Sequence, residues 1–262
     1  MAGDRGDIAG QALMFDDDGA GWTLPSEEVH IWRASLERPG HVIDRMRGLL
    51  SEDECERADR FIFERDRSRY VVGRALLREL LGRYLQRPPQ ELTFEYGEFG
   101  KPTLRSGPWF NLSHSGSLAL YAFSSLGEIG VDIEIDEGDF ARDRIAERFF
   151  SPAEVKALRA LPAEAQPRAF LSCWTRKEAF IKARGDGLSL SLDSFDVTLA
   201  PNSPAALLRT ALCSEEPARW GLADLSDSES GYIAAVALRG AGWRVVERHI
   251  VDNTEGAMPG QE

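Results

Sequence analysis

The sequence predicts an α+β protein, a pseudo-dimer of two similar α+β halves, each with helices packed on a mainly antiparallel sheet. Helical patterns over 51–60 and 66–85 are followed by three short strand-like runs separated by turns, which is an α+β order. The order strand, helices, strands then occurs twice within residues 26–250. A short aromatic echo, Arg60-Phe61-Ile62-Phe63 and Arg148-Phe149-Phe150, accompanies the repeat.

Residues 1–25 are rich in Gly and Asp and lack a periodic apolar pattern, and residues 251–262 read the same way, so both are expected to be disordered tails. The N-terminal half, 26–127, opens on a strand at Val29, Ile31 and Trp32 and continues with helices over 51–60 and 66–85, closed by Gly82 and Pro88-Pro89. Strands at Leu92–Tyr96, Trp109–Leu112 and Leu118–Phe123 follow, each bounded by turn residues. The C-terminal half, 128–250, repeats the order with a strand at Ile129–Ile135 and helices over 140–149, 152–160 and 165–184. Ser151-Pro152-Ala153-Glu154 supplies an N-cap, a proline at the first helical position and a capping-box glutamate, and Gly185 closes the last helix. Strands at Ser194–Leu199, Arg219–Leu222 and Tyr232–Leu238 complete this half.

Composition narrows the function classes. The 262 residues are 43% hydrophobic, 28% charged and 9% aromatic, as in an ordinary folded protein. A formal net charge of −12 argues against a nucleic-acid partner, which calls for a basic face. Cys55, Cys173 and Cys213 have neither disulfide-framework nor zinc spacing, no apolar run is long enough to span a membrane, and the first residues lack the pattern of a signal peptide. A cytoplasmic protein with no membrane association is expected. Arginines crowd residues 57–87, and that patch reads either as a solvated helix face or as a local anion site.

Three segments carry chemistry. Gly130-Val131-Asp132-Ile133-Glu134-Ile135-Asp136 alternates, so a strand there points Val131, Ile133 and Ile135 one way and Asp132, Glu134 and Asp136 the other. Alone it fits a wet acidic face as well as a cation site. On the helix Phe170-Leu171-Ser172-Cys173-Trp174-Thr175-Arg176-Lys177-Glu178-Ala179-Phe180-Ile181-Lys182, Glu178 falls inside the apolar arc set by Phe170, Trp174, Ile181 and Leu171, with Ala179 opposite it. A carboxylate directed at a core needs a partner; Lys182 at i+4 or a metal would serve. Asp132, Glu134 and Glu178 together would form an all-oxygen site suited to Mg²⁺ or Mn²⁺, and Mg²⁺ binds best where substrate phosphates complete its coordination. The third segment, Phe110-Asn111-Leu112-Ser113-His114-Ser115-Gly116, ends a strand in a turn of small and polar residues able to meet an anion, while lacking the pattern of a serine hydrolase. Lys101, in Gly100-Lys101-Pro102, reads as a phosphate ligand or a loop lysine.

Taken in order, these segments resemble the Sfp-type 4′-phosphopantetheinyl transferases: Arg69 through Gly73, Gly100-Lys101-Pro102, Phe110 through Ser115, Gly130 through Glu134, Arg148-Phe149-Phe150-Ser151, and Trp174 through Lys182. The resemblance covers about residues 54–197 and implies two α+β halves with the active site between them. It implies transfer of phosphopantetheine from coenzyme A to a serine of an apo acyl or peptidyl carrier protein in fatty-acid, polyketide or nonribosomal-peptide synthesis. Asp132, Glu134 and Glu178 then correspond to the metal-binding acids, and Lys182 to the lysine at the coenzyme phosphates. Ser113, His114 and Arg57 match residues near the 3′-phosphate, while Arg69 and Lys101 match other coenzyme contacts. Glu178, directly or through a metal-bound water, is the candidate base, Arg65, Arg67 and Arg74 are candidates for meeting an acidic carrier, and a monomer is expected. Where a serine often follows the glutamate of the family motif this chain has Ala179, for which little consequence is expected. A non-catalytic coenzyme A-binding module is the alternative.

Overall fold

Alternating and 3.6-residue apolar patterns place the secondary structure in the computed structural model, which describes residues 13–15, 22–136, 142–185, 187–201 and 203–252. In the first half, β1 (Leu13–Phe15) and β2 (Glu28–Ser35) precede the helices α1 (Gly40–Arg47), α2 (Glu52–Asp59) and α3 (Glu64–Leu85). A small ladder of β3 (Glu95–Tyr96) and β4 (Pro102–Thr103) leads to the hairpin β5 (Trp109–Ser115) and β6 (Leu118–Ser124). The second half runs β7 (Ile129–Ile135), α4 (Arg142–Phe149), α5 (Pro152–Arg159), α6 (Gln166–Arg184), β8 (Phe195–Val197), β9 (Leu207–Thr210), β10 (Trp220–Asp224), β11 (Tyr232–Arg239) and β12 (Arg244–Asp252).

The duplication is topological. In the first sheet the order includes β2-β6-β5, and in the second it is β7-β11-β10. In both, the last of the three strands lies antiparallel between the other two, and one long helix, α3 or α6, covers the face. Leu76, Leu77 and Leu80 of α3 share one core with Trp32, Tyr121 and Phe123 of the first sheet; Phe170, Phe180 and Ile181 of α6 share another with Phe195 and Ala235. The opposite faces of the two sheets meet through Val29, Ile31, Leu120 and Ala122 on one side and Ile129, Val131, Ile133, Val236 and Leu238 on the other. Each valine, leucine or isoleucine among them, fully buried, contributes about 1.5–3 kcal/mol, so this third core holds the halves together.

The aromatic echo does not mark equivalent positions: Arg60–Phe63 lies between α2 and α3, whereas Arg148–Phe150 ends α4 and precedes α5. The true counterparts are Ser51 and Ser151, each the N-cap of a short helix and each in a capping box, with Glu54 and Glu154. The division at residues 127 and 128 does not hold at the C-terminus, because β12 leaves the second half and pairs in parallel with β2 of the first. Nor do the tails lie wholly outside the fold. β1 pairs with β12 from Leu13↔Asp252 to Phe15↔Ile250, and Trp22 stacks on Trp32 with ring centroids 5.0 Å apart. α3 passes through Gly82 and stops at Gln86, which takes a left-handed φ of 52°. Helix α1 and strands β9 and β12 were not expected, and the run Leu92–Tyr96 is extended in a ladder only at Glu95–Tyr96.

Candidate active site at the seam of the two sheets

β5 and β7 are both edge strands, one of each sheet, and they run side by side where the halves meet. The alternation of each strand brings polar side chains together across this seam. Asn111 Oδ1 accepts from the Val131 backbone N–H at 2.9 Å, Ser113 Oγ donates to Asp132 Oδ1 at 3.0 Å, and Ser115 Oγ donates to Glu134 Oε2 at 3.1 Å while accepting from Ile135 N–H at 3.2 Å. Asn111, Ser113 and Ser115 thus form a second row facing the acidic row. Ser115 and Asn111 were not singled out in the sequence, although their i, i+2, i+4 spacing matches that of Asp132 and Glu134.

α6 closes the seam. Gly130 makes the approach feasible, because a Cβ there would run into the Ala179 carbonyl and the Ala183 amide. Ala179, which the helical wheel set on the far side of α6 from its apolar arc, is itself fully buried. α6 is enclosed nearly all round, so a single apolar arc described it poorly. Its last turns bring Lys182 Nζ to 2.6 Å from Asp132 Oδ1 and 2.9 Å from Ser113 Oγ. Glu178, one turn earlier, is half-buried beside the same carboxylates.

The electrostatics are those of crowded acid. Burial raises the Asp132 carboxyl above its ordinary value against the pull of Lys182 and Ser113. Burial and the Asp132 charge raise Glu134, opposed by Ser115, Lys182 and the Trp174 indole. Burial and the charges of Asp132 and Glu134 raise Glu178, opposed by Lys182. One ammonium therefore serves three carboxylates. Among the described residues no group of three acids, histidines or cysteines closes into a ready-made set of metal ligands, and Lys182 occupies Asp132 Oδ1. Yet Asp132 Oδ2 is buried and has no hydrogen-bond partner among the described residues. A buried, unpaired carboxylate oxygen amid a surplus of negative charge fits a hard cation with oxygen preference.

Around this centre the other expected residues divide. His114 faces outward from β5. Partial desolvation of its ring and the nearby charges of Lys182 and Arg69 hold its imidazole below the ordinary value, opposed by Asp66. Arg69, on α3, pairs with Glu37 at 3.1 Å. Arg57 is exposed on α2 with its guanidinium 5.5 Å from the centre of the Tyr70 ring. Lys101 does not present a free cation: its Nζ donates to the carbonyls of Lys182 at 2.6 Å, Ile129 at 3.0 Å and Ala183 at 3.2 Å. Burial lowers its ammonium to about 8, against the pull of Glu128. Arg74, expected to help meet a carrier, is buried and paired with Glu54, and Arg67 pairs with Glu64 at 2.7 Å.

Comparison with known proteins identifies the family of each half. Residues 30–125 match the N-terminal family of 4′-phosphopantetheinyl transferases, and residues 128–237 match the 4′-phosphopantetheinyl transferase superfamily. The boundary between the two matches falls just before β7. The 4′-phosphopantetheinyl transferase HetI of Nostoc sp. is 41% identical over 227 residues, covering 85% of this chain and 92% of the relative. A putative 4′-phosphopantetheinyl transferase of Synechocystis sp. is 42% identical over 170 residues, covering 63% and 68%. The Sfp enzyme of Bacillus subtilis is 38% identical over 158 residues, covering 60% and 69%. Among the described residues no helix is long and apolar enough to cross a membrane. With both halves matched, and with a relative aligned over nearly its whole length, this chain belongs to the 4′-phosphopantetheinyl transferases and is an enzyme of the Sfp type.

Proposed function

We propose that the enzyme moves phosphopantetheine from coenzyme A to a serine of an apo acyl or peptidyl carrier protein, with release of adenosine 3′,5′-bisphosphate. The observation that carries this reading is the seam itself: three carboxylates around one lysine, with Asp132 Oδ2 left without a hydrogen-bond partner among the described residues. Asp132, Glu134 and Glu178 would hold Mg²⁺, or Mn²⁺ in its place, and the bound ion would supply charge neutralisation for the coenzyme's pyrophosphate.

The serine Oγ attacks the β-phosphorus of coenzyme A. A new P–O bond to the serine forms, the P–O bond to the bridging oxygen breaks, and that oxygen leaves on adenosine 3′,5′-bisphosphate. Glu178 takes the serine proton, a role its raised proton affinity supports. Lys182, held by Asp132 and Ser113, stands where it can offset charge growing on the leaving phosphate. His114 and Arg69 anchor the nucleotide end, and Arg57, exposed on α2, draws in the 3′-phosphate. An apo carrier, a single copy of this chain and a cytoplasmic setting complete the proposal.

The test is the intact mass of an apo carrier incubated with the purified enzyme, coenzyme A and Mg²⁺, with and without EDTA. A gain of one phosphopantetheine that EDTA abolishes is expected. No gain with any carrier class, despite coenzyme A binding, would overturn the reading, and a gain that survives EDTA would overturn the metal's part in it.

A further inference from the structure

Lys101 sits in the turn between β3 and β4, in the first half of the chain, yet its side chain ends inside the second. Its three acceptors are the first carbonyl of β7, from Ile129, and two carbonyls of the last turn of α6, from Lys182 and Ala183. The final carbonyls of a helix lack intrahelical partners and form the negative end of its dipole, so a buried ammonium there satisfies them and attracts that end. An ammonium carries three protons in tetrahedral array, and here three carbonyls receive them.

We propose that Lys101 is a positioning residue for the transfer reaction: by clamping the end of α6 to the start of β7, it sets the contact between Lys182 and Asp132. The shortest of its three bonds goes to the backbone of Lys182, the residue whose side chain reaches Asp132 at 2.6 Å. On the other side of the clamp, Ile129 lies three residues before Asp132 on the same strand. Gly130 lets the helix and strand backbones approach without a side chain between them; Lys101 holds them at that approach. With its donors engaged in this way, the residue acts on the coenzyme through Lys182 and not by direct contact with phosphate.

This inference rests on Lys182 and Asp132 being parts of the transfer site, and its test separates the two readings. Lys101→Met keeps the stem and removes the donors. Lys101→Arg keeps the charge in a planar fork that cannot meet the same three acceptors. Both variants, with Lys101→Gln as a milder third, are assayed for kcat and KM for coenzyme A with an apo carrier. The dissociation constant for adenosine 3′,5′-bisphosphate is measured by calorimetry. The expected result for Lys101→Met is a fall in kcat of about 10- to 100-fold, as for a displaced reacting group. KM and the bisphosphate affinity should stay within about twofold, as for an effect confined to the chemical step, and Lys101→Arg should fail to restore kcat. Amide hydrogen exchange should speed up at residues 181–185 and stay unchanged in α3. A raised KM and weakened bisphosphate binding at unchanged kcat would make Lys101 a direct ligand and overturn the inference. So would full activity in all three variants, or an exchange increase spread over both halves. If the wild-type enzyme transfers nothing, the functional reading fails, while the exchange measurement still decides whether the clamp exists.

Discussion

Two clusters of charge, one in the first half and one at the seam, use the same chemical groups and end with opposite proton affinities. In the first, Glu54 is 1% exposed and lies between Arg74 and Arg78. Burial alone would push its carboxyl up, but Arg74, Arg78 and the Ser51 N–H together hold it below its ordinary value. At the seam three carboxylates share Lys182, and all three are raised. The difference is one of ratio. A carboxylate with two guanidiniums is a finished structural joint, completed by Arg78 bonds to the Pro89 and Leu92 carbonyls. Three carboxylates with one ammonium leave an excess of negative charge, which is what the proposed site for a cation and a phosphate donor calls for.

The sharpest way to break this comparison is at Glu178. Glu178→Gln is expected to lower kcat by about 10²–10⁴-fold, the usual contribution of a general base, with an unchanged circular dichroism spectrum. Near-normal turnover in that folded variant would move the proton acceptor elsewhere. Next in size, Glu54→Ala should destabilise the protein by about 3–5 kcal/mol, because it strands two buried guanidiniums; urea unfolding measures this, and a loss under about 1 kcal/mol would show that the joint relaxes into water.

The two clusters should also respond to pH with opposite sign. Glu54 has a folded-state pKa below 4.5, so its stabilisation is complete above the unfolded value and disappears as pH falls through the folded one. The seam acids are raised, so the folded state holds their protons more tightly than the unfolded chain does. Their contribution therefore declines as pH rises from the ordinary carboxylate value through the folded ones. Urea midpoints from pH 3 to pH 7 should show Glu54→Gln flattening the acid limb and Glu178→Gln flattening the upper one. The smallest expected effect belongs to the same Glu178→Gln variant: relief of repulsion should add about 1 kcal/mol of stability, or roughly 2–4 °C in Tm for a chain of this size. A drop in Tm would mean that Glu178 is already compensated in the free enzyme.

Much of this was readable from local pattern. The alternation at 129–135 put Asp132 and Glu134 on one face, the Ser-Pro-Ala-Glu start located α5, and the i+4 spacing of Glu178 and Lys182 put both at the same seam. What could not be read were partnerships between residues far apart in sequence. Arg74 and Arg78 look like part of a solvated basic face until Glu54 arrives from α2 to bury them. Glu154 was legible as a capping residue but not as the buried partner of Lys177, 2.8 Å away on α6. Lys101 carried no signal of its use, since its acceptors are backbone carbonyls, which every residue possesses. Strand β12 escaped notice for a related reason: its neighbour in the sheet is β2, more than two hundred residues earlier.

That last strand has a consequence for anyone wishing to take the molecule apart. Although the two halves follow one another along the chain, neither is a separable module. A cut between residues 127 and 128 would leave the first sheet with β2 as its open edge and would send β12 away with the wrong fragment. An exposed parallel-pairing edge invites association with other chains, so the first fragment alone should aggregate. The repeat is a pattern of folding; the unit that must be inherited, expressed and purified is the whole.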